Sequence, residues 1–385
     1  MTERARRVLV GVATVALLAG CSKAAEPGLQ PGQLLTARPL TTTAALPSAD
    51  TRLITYVSDD SHGQPIVVSG TVAVPKSPPP DGGWPVISWA HGTTGYADTC
   101  APSADTADGL VHDYVGLVTP VLDTWVERGF AVVQTDYQGL GTPGGHPYVD
   151  GTSEANTTTD IVTAARELDP GIGTDWVAIG HSQGGQAALF TAQDAGERAP
   201  ELNLKGAVAI APGGVGLSEA VEFVRSGRPE AVATQAFLPL LVLGSAVVEP
   251  AIVPEQVFTG QARPLLTAAR TECLAQIRQV PPVPVAQVFA PDADLTVFRE
   301  HLDRQDPTHL HPRVPVMIAQ GTADTAVAKP GVDALVEAMC GKAVAVDYRV
   351  YPGQDHRGVI GASLRDAQDF VSRVISGQPT DTCQR

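Results

Sequence analysis

The stretch Trp176-Val177-Ala178-Ile179-Gly180-His181-Ser182-Gln183-Gly184-Gly185-Gln186-Ala187-Ala188 restricts the fold more than any other. Apolar residues run into Gly180, a G-x-S-x-G turn follows, and helix formers come next. Strand, tight turn and helix in that order make the setting of a nucleophile elbow. The serine at the tip of such a turn sits in strained backbone with its hydroxyl lifted clear of the sheet. Gly180 and Gly184 belong there because a Cβ at either place would collide with a neighbouring strand or helix. The helix that follows points its unpaired N–H groups at the reacting centre. An ordinary Gly/Ser turn is the plain alternative, and the β-rich run and Ala-rich helix around the motif argue against it.

An elbow needs a sheet, and the chain supplies one. Leu53–Ser58, Ile66–Pro75 and Val86–Ala90 read as strands separated by turn-rich segments. Gly116–Arg128 has helical spacing, with Leu117, Val121, Leu122, Trp125 and Val126 on one face and Gly129 as its stop. Phe130–Thr135 and Leu204–Ala211 are continuous apolar runs of the kind buried in parallel sheets, and Ser153–Leu168 reads as a helix. After a long interruption come a strand at Val314–Ala319, a helix at Gly331–Met339, a strand at Val344–Tyr351 and a helix at Ser363–Ile375. The alternation predicts an α/β fold with a mostly parallel sheet and right-handed crossovers, preceded by short antiparallel strands. Residues 51–212 and 313–385 are expected to form this core. Residues 213–312 break the rhythm with prolines and with helical pieces such as Leu217–Arg225 and Ala231–Val248, and are expected to be a helical cap inserted over the active site. The apolar residues Phe237, Leu238, Leu240, Leu241, Val242 and Leu243 fit plain helix core and an acyl channel equally well.

A serine hydroxyl is a weak nucleophile and needs a histidine base, itself held in one tautomer by a carboxylate. In this sheet type the partners follow in the order Ser, acid, His, each on a loop beyond a strand's carboxyl end. The loop after Val314–Ala319 carries Asp324, and the loop after Val344–Tyr351 carries His356. Ser182, Asp324 and His356 are therefore the expected catalytic residues. Asp355 is a rival acid badly aimed as the neighbour of His356, and Asp347 lies within a strand. His181 is expected to pack within the elbow, and His309-x-His311 to lie in an exposed loop rather than hold a metal. For the oxyanion, the expected donors are the amide of Gln183 and that of Thr93, in the loop His91-Gly92-Thr93-Thr94-Gly95, with Gly92 and Thr94 as neighbouring alternatives.

The chain's beginning speaks of export. Arg4, Arg6 and Arg7 precede the apolar run Val8–Gly20, too short to span a membrane. It ends Leu18-Ala19-Gly20-Cys21, like a bacterial lipobox. Residues 1–21 are expected to be a lipoprotein signal peptide with Cys21 lipidated, and residues 22–50, rich in Pro, Thr, Ala and Gln, a flexible tether. Such a protein is a cell-envelope lipoprotein on the outer face of a membrane, or is secreted. Cys100, Cys273, Cys340 and Cys383 remain, an even number that suggests two disulfides. Of the three pairings, Cys100–Cys273 with Cys340–Cys383 is favoured, the second tying the C-terminal tail to the last-but-one helix. No spacing suggests a zinc site. The formal net charge of −15, and the lack of any basic cluster, make nucleic acid a poor partner.

Four stretches together resemble the secretory lipase family, the lipase A type of fungi and its bacterial relatives: Ser88-Trp89-Ala90-His91-Gly92-Thr93-Thr94-Gly95; Cys100-Ala101-Pro102-Ser103; Asp136-Tyr137-Gln138-Gly139-Leu140-Gly141; and Gly180-His181-Ser182-Gln183-Gly184-Gly185. The resemblance runs from about Thr51 to the C-terminus. It implies an α/β-hydrolase fold with a helical cap, two disulfides, no cofactor and hydrolysis of acylglycerols or other carboxylic esters. It also implies Ser182 as nucleophile, Asp324 as acid partner and His356 as base. A serine peptidase or amidase on the same scaffold would need a charged pocket to grip a peptide end, and none is evident near the motifs. An intact Ser182, Asp324 and His356 argues against a binding protein on a retired hydrolase fold.

Overall fold

The computed structural model describes residues 28–383. The expected signal peptide with Cys21, and residues 22–27 of the expected tether, lie outside the described residues.

The apolar runs become the interior of one nine-stranded sheet, ordered β1-β2-β3-β5-β4-β6-β7-β8-β9. The strands are β1 (Leu34–Pro39), β2 (Ala49–Asp59), β3 (Pro65–Pro75), β4 (Trp84–Ala90), β5 (Ala131–Thr135), β6 (Ile172–His181), β7 (Asn203–Ile210), β8 (Val316–Gly321) and β9 (Val346–Tyr351). From β5 to β9 every pairing is parallel, while β1, β2 and β3 pair antiparallel and β3 lies antiparallel to β5. Helices α1 (His112–Glu127), α2 (Gly151–Leu168) and α3 (Gln183–Arg198) precede six helices between β7 and β8: α4 (Leu217–Arg225), α5 (Leu238–Val248), α6 (Pro254–Val257), α7 (Arg263–Thr271), α8 (Leu274–Ile277) and α9 (Thr296–Arg304). Helices α10 (Lys329–Gly341) and α11 (Gly358–Ile375) complete the chain. Residues of α2, α3 and α10 pack on one face of the sheet, and those of α1 and α11 on the other. The helices between β7 and β8 build a separate apolar core around Val221, Leu240, Val242, Leu266, Ile277 and Phe298.

Three expectations change. Residues 34–50 are not tether: β1 pairs with β2 from Leu34↔Tyr56 to Pro39↔Arg52, and β2 begins at Ala49. An edge strand with one exposed row can be polar and still be held by its neighbour's backbone, so Thr- and Pro-rich composition misleads there. The antiparallel strands are not short, since β2 and β3 run eleven residues each. The expected helix Ala231–Val248 divides into a short 3₁₀ turn, Pro229–Thr234, and α5. Pro239 sits in the first turn of α5, where a missing N–H breaks no helical bond but prevents continuation from upstream.

Both favoured disulfides are present. Cys340–Cys383 holds the tail to α10, and the Thr382 N–H donates to the Val346 carbonyl at 2.6 Å. Cys100–Cys273 joins the segment after β4 to the start of α8. A bridge Gly95↔Cys273 and a 2.7 Å bond from Leu274 N–H to the Thr94 carbonyl reinforce that seam. Replacing Cys100 and Cys273 together by serine releases a crosslink closing a separation of 173 residues, worth about 2–5 kcal/mol. It also frees the Thr93–Gly95 loop. Thermal unfolding and kcat are both expected to fall, whereas the serine pair at Cys340 and Cys383 lowers stability alone.

Candidate active site

Strand order decides what can meet. β4 and β6 are parallel neighbours with Ala90 opposite Gly180, so the loop after β4 and the elbow after β6 emerge side by side. β7, β8 and β9 continue in sequence, so the loops carrying Asp324 and His356 open at the same edge of the sheet.

Ser182 has φ 59° and ψ −117°, a backbone that a non-glycine residue adopts only when its surroundings force it. Here the forcing is close packing. A Cβ on Gly180 would lie 2.0 Å from the Gly184 carbonyl oxygen, and one on Gly184 would lie 1.8 Å from that of Ala90. Ser182 Oγ is 2.9 Å from His356 Nε2, and His356 Nδ1 is 2.8 Å from Asp324 Oδ2. Asp324 is buried, and its Oδ1 accepts from the N–H groups of Ala326 and Val327 at 2.9 and 2.8 Å. Burial pushes the Asp324 carboxyl up. The hydrogen bond and charge of His356, with those two amides, outweigh burial and hold it below the usual carboxylate range. With Nδ1–H donated to a carboxylate, His356 presents a bare Nε2 to the serine hydroxyl.

The rival acids go elsewhere. Asp355 Oδ1 accepts from Gly358 N–H at 2.7 Å, at the start of α11. Asp347 pairs with Arg349 and Arg373. His309 and His311 are exposed.

His181 is buried in the elbow, as expected, but it also links elements. Its Nε2–H donates to the His356 carbonyl at 2.8 Å, and its Nδ1 lies 3.3 Å from the Tyr114 hydroxyl. That hydroxyl also accepts from Gly92 N–H at 2.7 Å. Burial first, then the neighbouring His356, lower the His181 pKa to about 3, so the ring stays neutral and keeps its tautomer. Gly92 N–H is thereby committed to Tyr114, which leaves Thr93 and Thr94 as donors from that loop. Thr93 itself is buried, its Oγ1 2.8 Å from the Tyr148 hydroxyl.

Two cavities meet at Ser182 and His356. One, of about 270 Å³, is lined by Gln183, Leu217, Val221, Phe237, Leu238 and Leu241. The other, of about 260 Å³, is lined by Thr93, Tyr114, His181, Arg278 and Arg357. The apolar row of α5 is divided between helical core and cavity wall. Leu238 and Leu241 belong to the helical core and face the cavity, whereas Leu240, Val242 and Leu243 are buried in that core without lining the cavity.

The other two sequence motifs brace this arrangement. Asp136 is buried and accepts from Ser69 Oγ at 2.7 Å, Ser103 N–H at 2.9 Å and Ser103 Oγ at 2.5 Å. The C-A-P-S and D-Y-x-G-L-G stretches are thus two halves of one buried contact, and Tyr137 donates its hydroxyl to the His91 carbonyl at 3.0 Å. Sequence reasoning missed Tyr114 and Arg278, which carry no local motif.

A serine elbow on β6 of a mostly parallel sheet, roofed by helices inserted after β7, defines an α/β-hydrolase. The secretory lipase family model matches residues 114–379, and the chain belongs to that family. It is 25% identical over 344 residues to a lipase A of Moesziomyces aphidis, covering 84% of this chain and 71% of that protein. The structure is similar to Candida antarctica lipase A in its closed state, with TM-score 0.78 and 20% identity over 92% of this chain and 84% of that one. It is also similar to the rice cell wall degrading esterase LipA of Xanthomonas oryzae, with TM-score 0.70 and 19% identity over 91% of this chain and 100% of that one. The chain is a carboxylic ester hydrolase, from a family of secretory enzymes. No helix among the described residues is long and apolar enough to cross a membrane.

Proposed function

We propose that the protein is an exported serine esterase acting on lipid esters, with Ser182 as nucleophile, His356 as base and Asp324 as its carboxylate partner. The observation that carries this reading is the hydrogen-bond chain from Ser182 Oγ through His356 to Asp324 Oδ2, at 2.9 and 2.8 Å. His356 Nε2 takes the hydroxyl proton as Oγ attacks the ester carbonyl carbon, and the tetrahedral oxyanion is met by the backbone N–H groups of Gln183 and Thr93. The same Nε2–H then protonates the departing alcohol. Water, deprotonated by His356, hydrolyses the acyl-serine.

The apolar cavity suits the acyl chain and the more polar one the alcohol. At about 270 Å³ the acyl side lies at the lower end of ligand pockets, which favours medium chains unless the roof moves. Cys21 is the proposed site of a lipid anchor, which would hold the enzyme at the outer face of a membrane. The test is a series of p-nitrophenyl esters from acetate to palmitate on the protein lacking residues 1–21, with fluorophosphonate labelling of Ser182. Rates should peak at medium chains. Ala220→Phe, which fills the apolar cavity, should move the peak to shorter chains by about two carbons or more and spare the acetate rate within about threefold. Turnover of amides in preference to esters, or no labelling of Ser182, would overturn the reading.

A further inference from the structure

Gln183 is both the residue after the nucleophile and the first residue of α3, so its backbone N–H belongs to a helix terminus with no intrahelical partner. Aiming that N–H requires the strained backbone at Ser182 to be held from outside. The side chain of Gln183 supplies a handle. It is buried, and its two amide hydrogens are both used: Nε2 lies 2.7 Å from Glu154 Oε1 and 3.0 Å from His146 Nε2. His146 Nδ1–H donates to the Gln138 carbonyl at 2.9 Å, which leaves Nε2 as the acceptor that Gln183 needs. Glu154 Oε1 also accepts from Val149 N–H at 3.0 Å.

Glu154 is an unusual residue to find there. It is 1% exposed, in the first turn of α2, and its Oε2 is a buried atom without a hydrogen-bond partner among the described residues. The titratable groups around it are Asp150 one turn earlier, Tyr137 and Tyr148, and the His146 ring. Burial lowers the His146 pKa to about 3, so that ring brings no positive charge. Burial, with Asp150 nearby, pushes the Glu154 carboxyl well above the usual range.

We propose that Glu154 is a positioning residue for the oxyanion site: its Oε1 clamps the Gln183 side chain and so aims the Gln183 backbone N–H at the reacting oxygen. The proposal rests on the reading of Ser182 and Gln183 given above. An acceptor oxygen is required here because Oε1 must accept two hydrogen bonds at once, one from Val149 on the entry to α2 and one from Gln183 on α3.

The test is kcat and KM for p-nitrophenyl butyrate in the full-length enzyme and in Glu154→Ala, Glu154→Gln, Gln183→Met and Glu154→Ala with Gln183→Met, each checked for folding by circular dichroism. Glu154→Ala and Gln183→Met should each lose about 10- to 100-fold in kcat with KM within about threefold, because the interaction matters at the transition state. Glu154→Gln keeps an acceptor oxygen in place of Oε1 and should recover kcat to within about threefold of the parent. The double variant should fall no further than the worse single one by more than about threefold, since the pair acts as one unit. A folded Glu154→Ala with parental kcat, a loss confined to KM, or a Glu154→Gln as impaired as Glu154→Ala would overturn the proposal. If Glu154→Ala does not fold, a folded Gln183→Met with parental kcat overturns it equally. An inactive parent that also fails to label at Ser182 would instead overturn the catalytic reading itself.

Discussion

Ser182→Ala is expected to lower kcat for ester hydrolysis by about six orders of magnitude and to leave the fold intact, the scale of loss when the nucleophile of such a triad is removed. The residual rate comes from binding and from the oxyanion donors, which survive the change. The structural effect should be small. Alanine keeps the Cβ, and the Oγ makes a single hydrogen bond, 2.9 Å from His356 Nε2, so its removal alters stability by about 1 kcal/mol. The strained φ of 59° at this position is imposed by the close approach of Gly180 to Gly184 and of Gly184 to Ala90, and none of those contacts changes. The check is a comparison of initial rates on p-nitrophenyl butyrate with far-ultraviolet circular dichroism and thermal unfolding. Full activity in a folded Ser182→Ala protein would place the nucleophile elsewhere.

The contrast between what the sequence announces and what it conceals follows from the range of the forces involved. The elbow is legible because strand, turn and helix are local, and because the glycines are demanded by contacts whose partners lie in the motif and on β4. The loops bearing Asp324 and His356 are legible because the apolar runs before them, now Val316–Gly321 and Val346–Tyr351, mark where strands end. Edge strand β1 is concealed because its stability comes from pairing with β2 across the chain, and only Leu34 within it is even partly buried. Helix α2 is legible as a helix, but its burial is concealed. Its sequence Gly151-Thr152-Ser153-Glu154-Ala155-Asn156-Thr157-Thr158-Thr159-Asp160 reads as a solvated face, yet nearly all of it is buried. Several of its polar side chains are held by distant partners: Asp160 by Ser58 and Arg198, Glu154 by Gln183, and Asn156 by the Asp59 carbonyl. Burial of polar side chains depends on such long-range pairing, which no window of residues contains. The same holds for Tyr114, whose place between Gly92 and His181 is set by how α1 packs on the sheet. The family-typical motifs, by contrast, turn out to be contact pairs, as Ser103 with Asp136 demonstrates.

Asp324→Asn is expected to lower kcat by about four orders of magnitude without unfolding the protein. The reason lies in how the carboxylate is held. Oδ1 accepts from Ala326 and Val327 N–H, and Oδ2 faces His356 Nδ1 at 2.8 Å. An asparagine in this position must turn its carbonyl oxygen toward the two backbone donors, because an NH₂ there would face N–H groups. Its NH₂ is thereby aimed at His356 Nδ1. That nitrogen must then accept, the ring proton moves to Nε2, and Nε2 can no longer take the Ser182 hydroxyl proton. Geometry is kept and the tautomer is wrong. The companion variants separate this from a general loss of charge. Asp355→Asn weakens the start of α11, where Gly358 N–H is its partner, and should keep kcat within about tenfold. Asp347→Asn disturbs the pairs with Arg349 and Arg373 and should lower the unfolding temperature while sparing kcat within about threefold. If either of these produced the four-order loss and Asp324→Asn did not, the hydrogen bond between Asp324 and His356 would not be the one that sets the base, and the acid would have to be sought on another loop at the same sheet edge.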